Sequence, residues 1–241
     1  RILVKARVRT LELTSGNNRI ANPSSRLESA SDAQALAART LPSLAHVIDR
    51  LPANSTVIDL GAGRGRHTIY ALFAGHDVIA VERKDEALTD LRRAIAATGK
   101  QAERATVIPG DYAELDPGNY DDADLVIITG VLQHVESREE LDRKLKLIGA
   151  LANAAGAQIY IEMLFSMRFD GKPAADGRIE IGIDEFETAL RRAFPARHWR
   201  GERASGPVLL TQDFSSGPRS FIPPATKIEL TAVEYLVARL D

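Results

Sequence analysis

Residues 57–65 read Val57-Ile58-Asp59-Leu60-Gly61-Ala62-Gly63-Arg64-Gly65, an apolar run carrying one acid and followed by three glycines at alternate positions. The apolar part has the length and composition of a buried strand. Alternate glycines let the backbone bend sharply and let a ligand approach it with no Cβ in the way. A helix starting directly after such a turn points its free N–H groups at that ligand. The stretch therefore predicts a strand, a turn and a helix start arranged around an adenosine-bearing cofactor.

Working outward, the same alternation of patterns repeats. Thr56 to Leu60 reads as a strand, Arg66 to Phe73 as a short helix closed by Gly75, and Asp77 to Val81 as a second strand. From Asp85 a helix carries Leu88, Leu91 and Ile95 on one face and stops at Gly99. Ala105 to Pro109 and Asp124 to Thr129 are further strands; the second is apolar on both faces, which belongs inside a parallel sheet covered by helices. Ser137 followed three residues later by Glu140 has the capping-box pattern, and Leu141, Leu145, Ile148 and Ala152 form the stripe of the helix it starts. Gly156 ends that helix before a strand at Gln158 to Glu162. Asp184 is expected to cap a helix bearing Phe186, Leu190 and Phe194, with strands near His198 to Arg203 and Val208 to Thr211. Such alternation predicts an α/β fold with a doubly wound, mostly parallel sheet.

The ends give weaker patterns. Ala33 to Leu51 is expected to be a helix burying Leu36, Leu44, Val47 and Ile48; Ile2 to Leu13 an extended arm; Asn17 to Ser31 a polar, turn-rich segment. Ser215 to Pro224 reads as an irregular loop and Thr226 to Leu240 as a helix. The expected division is an N-terminal arm and helix at 1–52, a cofactor-binding core at 53–214 and a C-terminal extension at 215–241.

The whole chain of 241 residues suits one generous domain. Its net charge of −2 offers no basic excess for nucleic acid. The absence of cysteine removes disulfides, thiolate metal sites and cysteine nucleophiles, and no metal site is expected. No apolar run reaches the roughly 18 residues of a membrane span, so a cytoplasmic location is the default expectation, and with Arg1 rather than Met first the natural start is left open.

Two details choose among adenosine cofactors. Glu82, ending the second strand, stands where a carboxylate accepts hydrogen bonds from ribose hydroxyls. The glycines run Gly61-x-Gly63-x-Gly65 rather than G-x-G-x-x-G, and Asp59 precedes them. A carboxylate beside the turn repels a pyrophosphate and suits a ligand bearing an ammonium and a sulfonium.

In its four segments Val57 to Gly65, Val78 to Glu82, Ile108 to Tyr112 and Asp124 to His134, the chain resembles the class I S-adenosylmethionine-dependent methyltransferases. Gly65 to Tyr70 and Gly75 to Glu82 look more narrowly like the tellurite-resistance and thiopurine-type small-molecule branch. The resemblance covers roughly residues 55 to 165. It implies a Rossmann-like seven-stranded sheet with one antiparallel strand, and S-adenosyl-L-methionine as cofactor, leaving S-adenosyl-L-homocysteine. It also implies roles: Gly61 and Gly63 line the methionine portion with Asp59 organising its amino group; Glu82 holds the ribose; Arg83 packs by the adenine; Asp111 accepts from the adenine amino group and the Tyr112 N–H meets the ring. Thr129 and Gly130 offer carbonyls to the ammonium and open onto the substrate. The chain departs from the branch at Glu82, where Asp is commoner. It also has Thr129-Gly130-Val131-Leu132 in place of the Asn/Asp-Pro-Pro-aromatic sequence of base-amine methyltransferases, which speaks against nucleic acid and for a small-molecule acceptor methylated on O, N or S.

Displacement at a sulfonium needs alignment more than acid–base help, but a phenol, alcohol or ammonium acceptor must lose a proton. His134, just past the fourth strand, and Glu162, ending the fifth, are the catalytic candidates. The plain alternatives are a histidine bracing the next helix and a solvated strand-end acid. His67 reads as packing beside the cofactor, Tyr160 as core and Trp199 as packing on a late strand. Arg1, Arg7, Arg9, Arg19 and Arg26 with Lys5 are either a solvated face or a lid over an anionic substrate. Phe165 to Arg178, with Met163 just before it and Met167 and Phe169 within it, is either the wall of an apolar substrate pocket or a surface insertion. The alternatives to a methyltransferase are an NAD(P)-dependent oxidoreductase and a non-catalytic binding or assembly protein. No membrane partner is expected, and a homodimer is left open.

Overall fold

The computed structural model describes residues 9–12, 29–154, 156–173, 178–213 and 227–240. In chain order the elements are β1 (Arg9–Glu12), α1 (Ala30–Ala37), α2 (Pro42–Ile48), β2 (Thr56–Leu60), α3 (Arg66–Phe73), β3 (Asp77–Glu82), α4 (Asp85–Ala96), β4 (Ala105–Pro109), β5 (Ala123–Thr129), α5 (Arg138–Leu151), β6 (Gln158–Phe169), β7 (Lys172–Pro173), α6 (Ile183–Ala193), β8 (Trp199–Asp213) and β9 (Lys227–Arg239). One sheet runs in the order β1-β8-β9-β6-β5-β2-β3-β4, with β7 pairing β6. Strands β2 to β6 pair in parallel, and β9 is antiparallel to both β6 and β8. The expected seven-stranded sheet with one antiparallel strand is therefore present, and β1 and β7 are additions to it.

Both faces are covered, which is why the central strands are apolar throughout. One face packs Ile58, Leu60, Ile128 and Ile161 against Leu145 and Ile148 of α5 and Phe186 and Leu190 of α6. The other packs Val57, Ile127 and Tyr160 against Ile69 and Leu72 of α3, Leu91 of α4 and Leu44 and Ile48 of α2. Alternate residues of one strand thus serve two cores, and the C-terminal ends of β2 to β6 form the rim where open α/β sheets bind ligands.

Several expectations need correction. The helix over Ala33 to Leu51 is two helices, because Pro42 forces Leu41 into an extended conformation (φ −58°, ψ 130°) and serves as the first residue of α2. Leu44, Val47 and Ile48 are buried as expected, while Leu36 is half-buried. Gly182, not Asp184, precedes α6, and Asp184 and Glu185 lie in its first turn, where the helix dipole favours them. Ser137 caps α5 by accepting from the Glu140 N–H, but the Glu140 carboxylate accepts from Glu136 rather than from Ser137. The two late strands are one, β8. The expected C-terminal helix is strand β9, with Val233, Tyr235 and Val237 buried in the α6-side core and Glu234 and Leu236 pointing to the other side. A strand covered on both faces is apolar without alternation, which is why its pattern reads equally well as a helix. The segment set apart as a C-terminal extension therefore supplies an inner strand of the sheet.

Candidate active site

The turn after β2 is built as its glycines require. Gly61, Gly63 and Gly65 have φ of +71°, +58° and +93°, in the left-handed region that L side chains disfavour. A Cβ on Gly61 would stand 2.5 Å from Val131 Cγ2, so this turn and the end of β5 touch backbone to side chain. At Gly63 the nearest atom to a Cβ would be the Gly61 carbonyl at 4.0 Å, which leaves space over the turn. The Gly61 and Ala62 N–H groups both donate to the Val81 carbonyl (2.8 and 3.0 Å), and the Gly110 N–H donates to the Glu82 carbonyl at 3.0 Å. The ends of β2, β3 and β4 are thereby stitched into one edge.

Glu82 is buried at that edge. Its Oε2 accepts from the Gly63 N–H at 2.8 Å, and its Oε1 from the Arg83 and Lys84 N–H groups at 2.9 Å each. The carboxylate thus braces the glycine turn itself. Asp59 lies beneath the turn at 1% exposure and accepts from the Thr68 hydroxyl of α3 at 2.7 Å. Burial pushes its carboxyl up to about 6, against the opposing effects of the Thr68 bond and Arg66. The Arg83 guanidinium reaches Asp111 Oδ2 at 3.3 Å, and Asp111 Oδ1 accepts from the Ala113 N–H at 3.0 Å. Tyr112 is buried, with its hydroxyl unpartnered and pushed up by burial first and the Asp111 charge second.

Thr129 ends β5 beside Glu162 of β6, and Glu162 stands directly opposite Glu234 of β9. Glu162 is buried, faces Arg66 Nη2 at 3.7 Å, and is pushed up from the usual carboxylate range by burial, with Glu234 adding and Arg66 subtracting. Glu234 accepts from the hydroxyls of Tyr160 and Ser43. Tyr160 is core, as expected, and also part of this polar cluster. Sequence reading missed Glu234 because it places that residue on a helix, and Ser43 because it lies in what was read as the middle of one. His67 is buried on α3 with both ring nitrogens unpartnered and is held well below its ordinary value by burial and then by Arg66. Trp199 packs edge-on to Phe194 at 5.2 Å.

After Gly130 (φ +64°) the chain makes one helical turn, Leu132–His134. His134 is exposed, and its Nε2 lies 3.2 Å from Nε2 of the buried Gln133, a residue that sequence reading passed over. Gln133 Oε1 is buried without a partner. Gln133 borders a cavity of about 230 Å³ whose lining mixes Met163, Phe165 and Ile181 with Arg168, Arg178 and Glu180. The start of the Phe165 to Arg178 segment belongs to β6, which runs on to Phe169 past the expected end at Glu162 and is broken by an irregularity between Phe165 and Arg168, where Ser166 has φ +51°. Residues 174–177 lie outside the described ones, as do Arg1, Lys5, Arg7, Arg19 and Arg26 of the expected lid; Arg9 is in β1. No helix among the described residues is long and apolar enough to cross a membrane.

Residues 57–153 match the family model described as a methyltransferase domain. No curated protein matches the chain. Among solved structures, it is similar to the 1,6-didemethyltoxoflavin-N1-methyltransferase of Burkholderia thailandensis, solved with 1,6-didemethyltoxoflavin and S-adenosylhomocysteine (27% identity, 85% of this chain and 79% of that one, TM-score 0.52). The fold is shared with the magnesium protoporphyrin IX methyltransferase of Synechocystis PCC 6803, solved with S-adenosylmethionine (16% identity, 88% and 79%, TM-score 0.52). It is shared also with mitomycin 7-O-methyltransferase (21% identity, 82% and 53%, TM-score 0.50), of whose length this chain spans about half. The narrower likeness to the tellurite-resistance and thiopurine branch rests on the sequence segments alone. The match to the methyltransferase-domain model lies over the glycine turn, the Glu82 edge and β5, and the mostly parallel sheet with its flanking helices is the fold of the class I methyltransferases.

Proposed function

We propose that this protein transfers a methyl group from S-adenosyl-L-methionine to an O, N or S atom of a small molecule. The observation that carries this reading is the left-handed glycine turn braced by Glu82, with open space above Gly63 at the rim of a class I sheet. When bound, the cofactor supplies an electrophilic methyl on a sulfonium. The chain's share is to bind, align and exclude water.

Gly61 and Gly63 take the methionine portion along their backbone, over the buried charge of Asp59. Three backbone donors use part of the acceptor capacity of Glu82, and the remainder suits a ribose hydroxyl. Arg83 and Asp111 flank the adenine; their ion pair is exposed on the arginine side, the kind worth at most about 1 kcal/mol, so an adenine amino group exchanges for it at little cost. The Tyr112 N–H meets the ring, and the Thr129 and Gly130 carbonyls receive the ammonium. Of the two catalytic candidates, Glu162 has the environment of a proton acceptor: buried, raised by that burial above the usual carboxylate range, and one strand from Thr129. His134 is exposed and holds the Gln133 amide. The toxoflavin-precursor enzyme supports a small acceptor.

Calorimetry with S-adenosylhomocysteine tests the proposal. Binding is expected, and Glu82→Ala weakens it by about tenfold or more, the scale of a charge-assisted hydrogen bond. Absence of binding to the wild-type protein overturns the reading.

A further inference from the structure

We propose that Glu234 is a positioning residue for Glu162: the two carboxylates, opposite one another across β9 and β6, take up one proton between them, and the hydroxyls that anchor Glu234 make Glu162 the member that takes it. This rests on the reading of Glu162 as the proton acceptor and adds what sets its basicity.

The sheet brings two like charges together where they are costly. Glu162 and Glu234 are direct cross-strand partners and both are buried. Side chains so paired share one face of the sheet with Cβ atoms about 4.5–5.5 Å apart, and like charges there repel. Among the described residues the cation that meets the pair is Arg66 of α3, whose Nη2 lies 3.7 Å from Glu162 Oε2 and whose side chain is 38% exposed. Two buried carboxylates with one loosely placed cation do not titrate independently, because the charge on one opposes the charge on the other.

The surroundings decide which of them takes the proton. The hydroxyls of Tyr160 on β6 and Ser43 on α2 both donate to Glu234 Oε2, and the two hydroxyl oxygens are 2.6 Å apart. Hydrogen bonds donated to a carboxylate favour its charged form. Burial first, then the bond to Glu234 and the charges of both carboxylates, push the Tyr160 hydroxyl up, so it remains a donor. Glu162 has no such anchor among the described residues: its charged neighbours are Arg66 and Glu234, and its partner on β5 is the uncharged Thr129. Burial pushes its carboxyl up, with Arg66 opposing and Glu234 adding. The lone pairs of Glu162 are therefore left for a proton arriving at the rim, and the fixed charge of Glu234 strengthens it as a base. As the acceptor atom bonds the methyl, the electron pair of the broken bond stays on sulfur and the acceptor's proton passes to Glu162.

Carboxyl ¹³C NMR of protein labelled at the glutamate Cδ tests this, with the Glu162 signal assigned by its loss in Glu162→Gln. In the wild-type protein that signal is expected to titrate above the usual carboxylate range. Glu234→Gln lowers its midpoint by about one pH unit or more, and Glu234→Asp, which keeps the charge, restores it. Tyr160→Phe is nearly isosteric and takes one donor from Glu234, so a second signal, absent in Glu234→Asp, joins the titration; this keeps the test decisive if Glu234→Gln folds poorly. A Glu162 midpoint unmoved in Glu234→Gln, one in the ordinary range in the wild type, or a titration carried by Glu162 alone in Tyr160→Phe overturns the pair. S-adenosylhomocysteine binding is measured separately: a Glu234-dependent midpoint without it keeps the pair and overturns the methyltransferase reading, and binding with an unmoved midpoint overturns the pair alone.

Discussion

Asp59 carries a charge at a depth where charge is costly. Its carboxyl is raised from 3.8 to about 6, so between those values the folded protein holds a proton that the unfolded chain has released. Its contribution to stability is therefore full below about pH 4 and lost as pH rises through about 6, by about 3 kcal/mol. Asp59→Asn retains an acceptor for Thr68 and removes the penalty. Urea unfolding at pH 4 and pH 8 is expected to show little difference between variant and wild type at the lower pH and a gain of up to about 3 kcal/mol for the variant at the higher one. The retention of so costly a group points to a use for its charge, and the variant is expected to bind S-adenosylhomocysteine more weakly. Gly61 tests the turn in a second way. Gly61→Ala meets both a positive φ and the Val131 methyl, together about 2–4 kcal/mol. Adding Val131→Ala relieves the contact but not the backbone, so thermal unfolding of the double variant should recover part of the loss. Asp59 and the three glycines were readable from sequence because residue type alone encodes a left-handed turn beside an acid. Gln133 was not, since an amide in a short turn is ordinary until burial leaves one end unpaired.

Among the elements, β6 does two jobs. Its first half lies between β5 and β9, and its second half, past Phe165, pairs with β7 and borders the cavity. A register irregularity around Ser166 separates the two halves. Ser166 is exposed with φ +51°, so Ser166→Gly is expected to be neutral or stabilising by up to about 1 kcal/mol, whereas the β-branched Ser166→Val loses about 1–2 kcal/mol, read by chemical denaturation. Glu162 belongs to the same strand. If it removes the acceptor's proton, Glu162→Gln lowers kcat by about 10²–10³ with KM little changed and removes the lower limb of the pH–rate profile. A merely structural acid would instead lower stability and leave the pH profile in place.

For the whole molecule the decisive element is β9. It pairs with β6 along one side and β8 along the other, so removing it separates β8 and β1 from the rest of the sheet. Truncation after residue 226 is expected to abolish cooperative thermal unfolding, followed by circular dichroism, where loss of a peripheral helix would leave the transition intact. The sequence by itself determined the βα alternation from β2 to α5, the glycine turn and its attendant acids, because these depend on local spacing and on residues that only certain backbones accept. Only the tertiary structure decided that the C-terminal segment is a strand, that Glu234 opposes Glu162, and that the Gln133 amide is buried. Those features arise from contacts between residues far apart in the chain: a segment buried on both sides shows no period, and an unpaired amide is recognised only once its surroundings have closed around it.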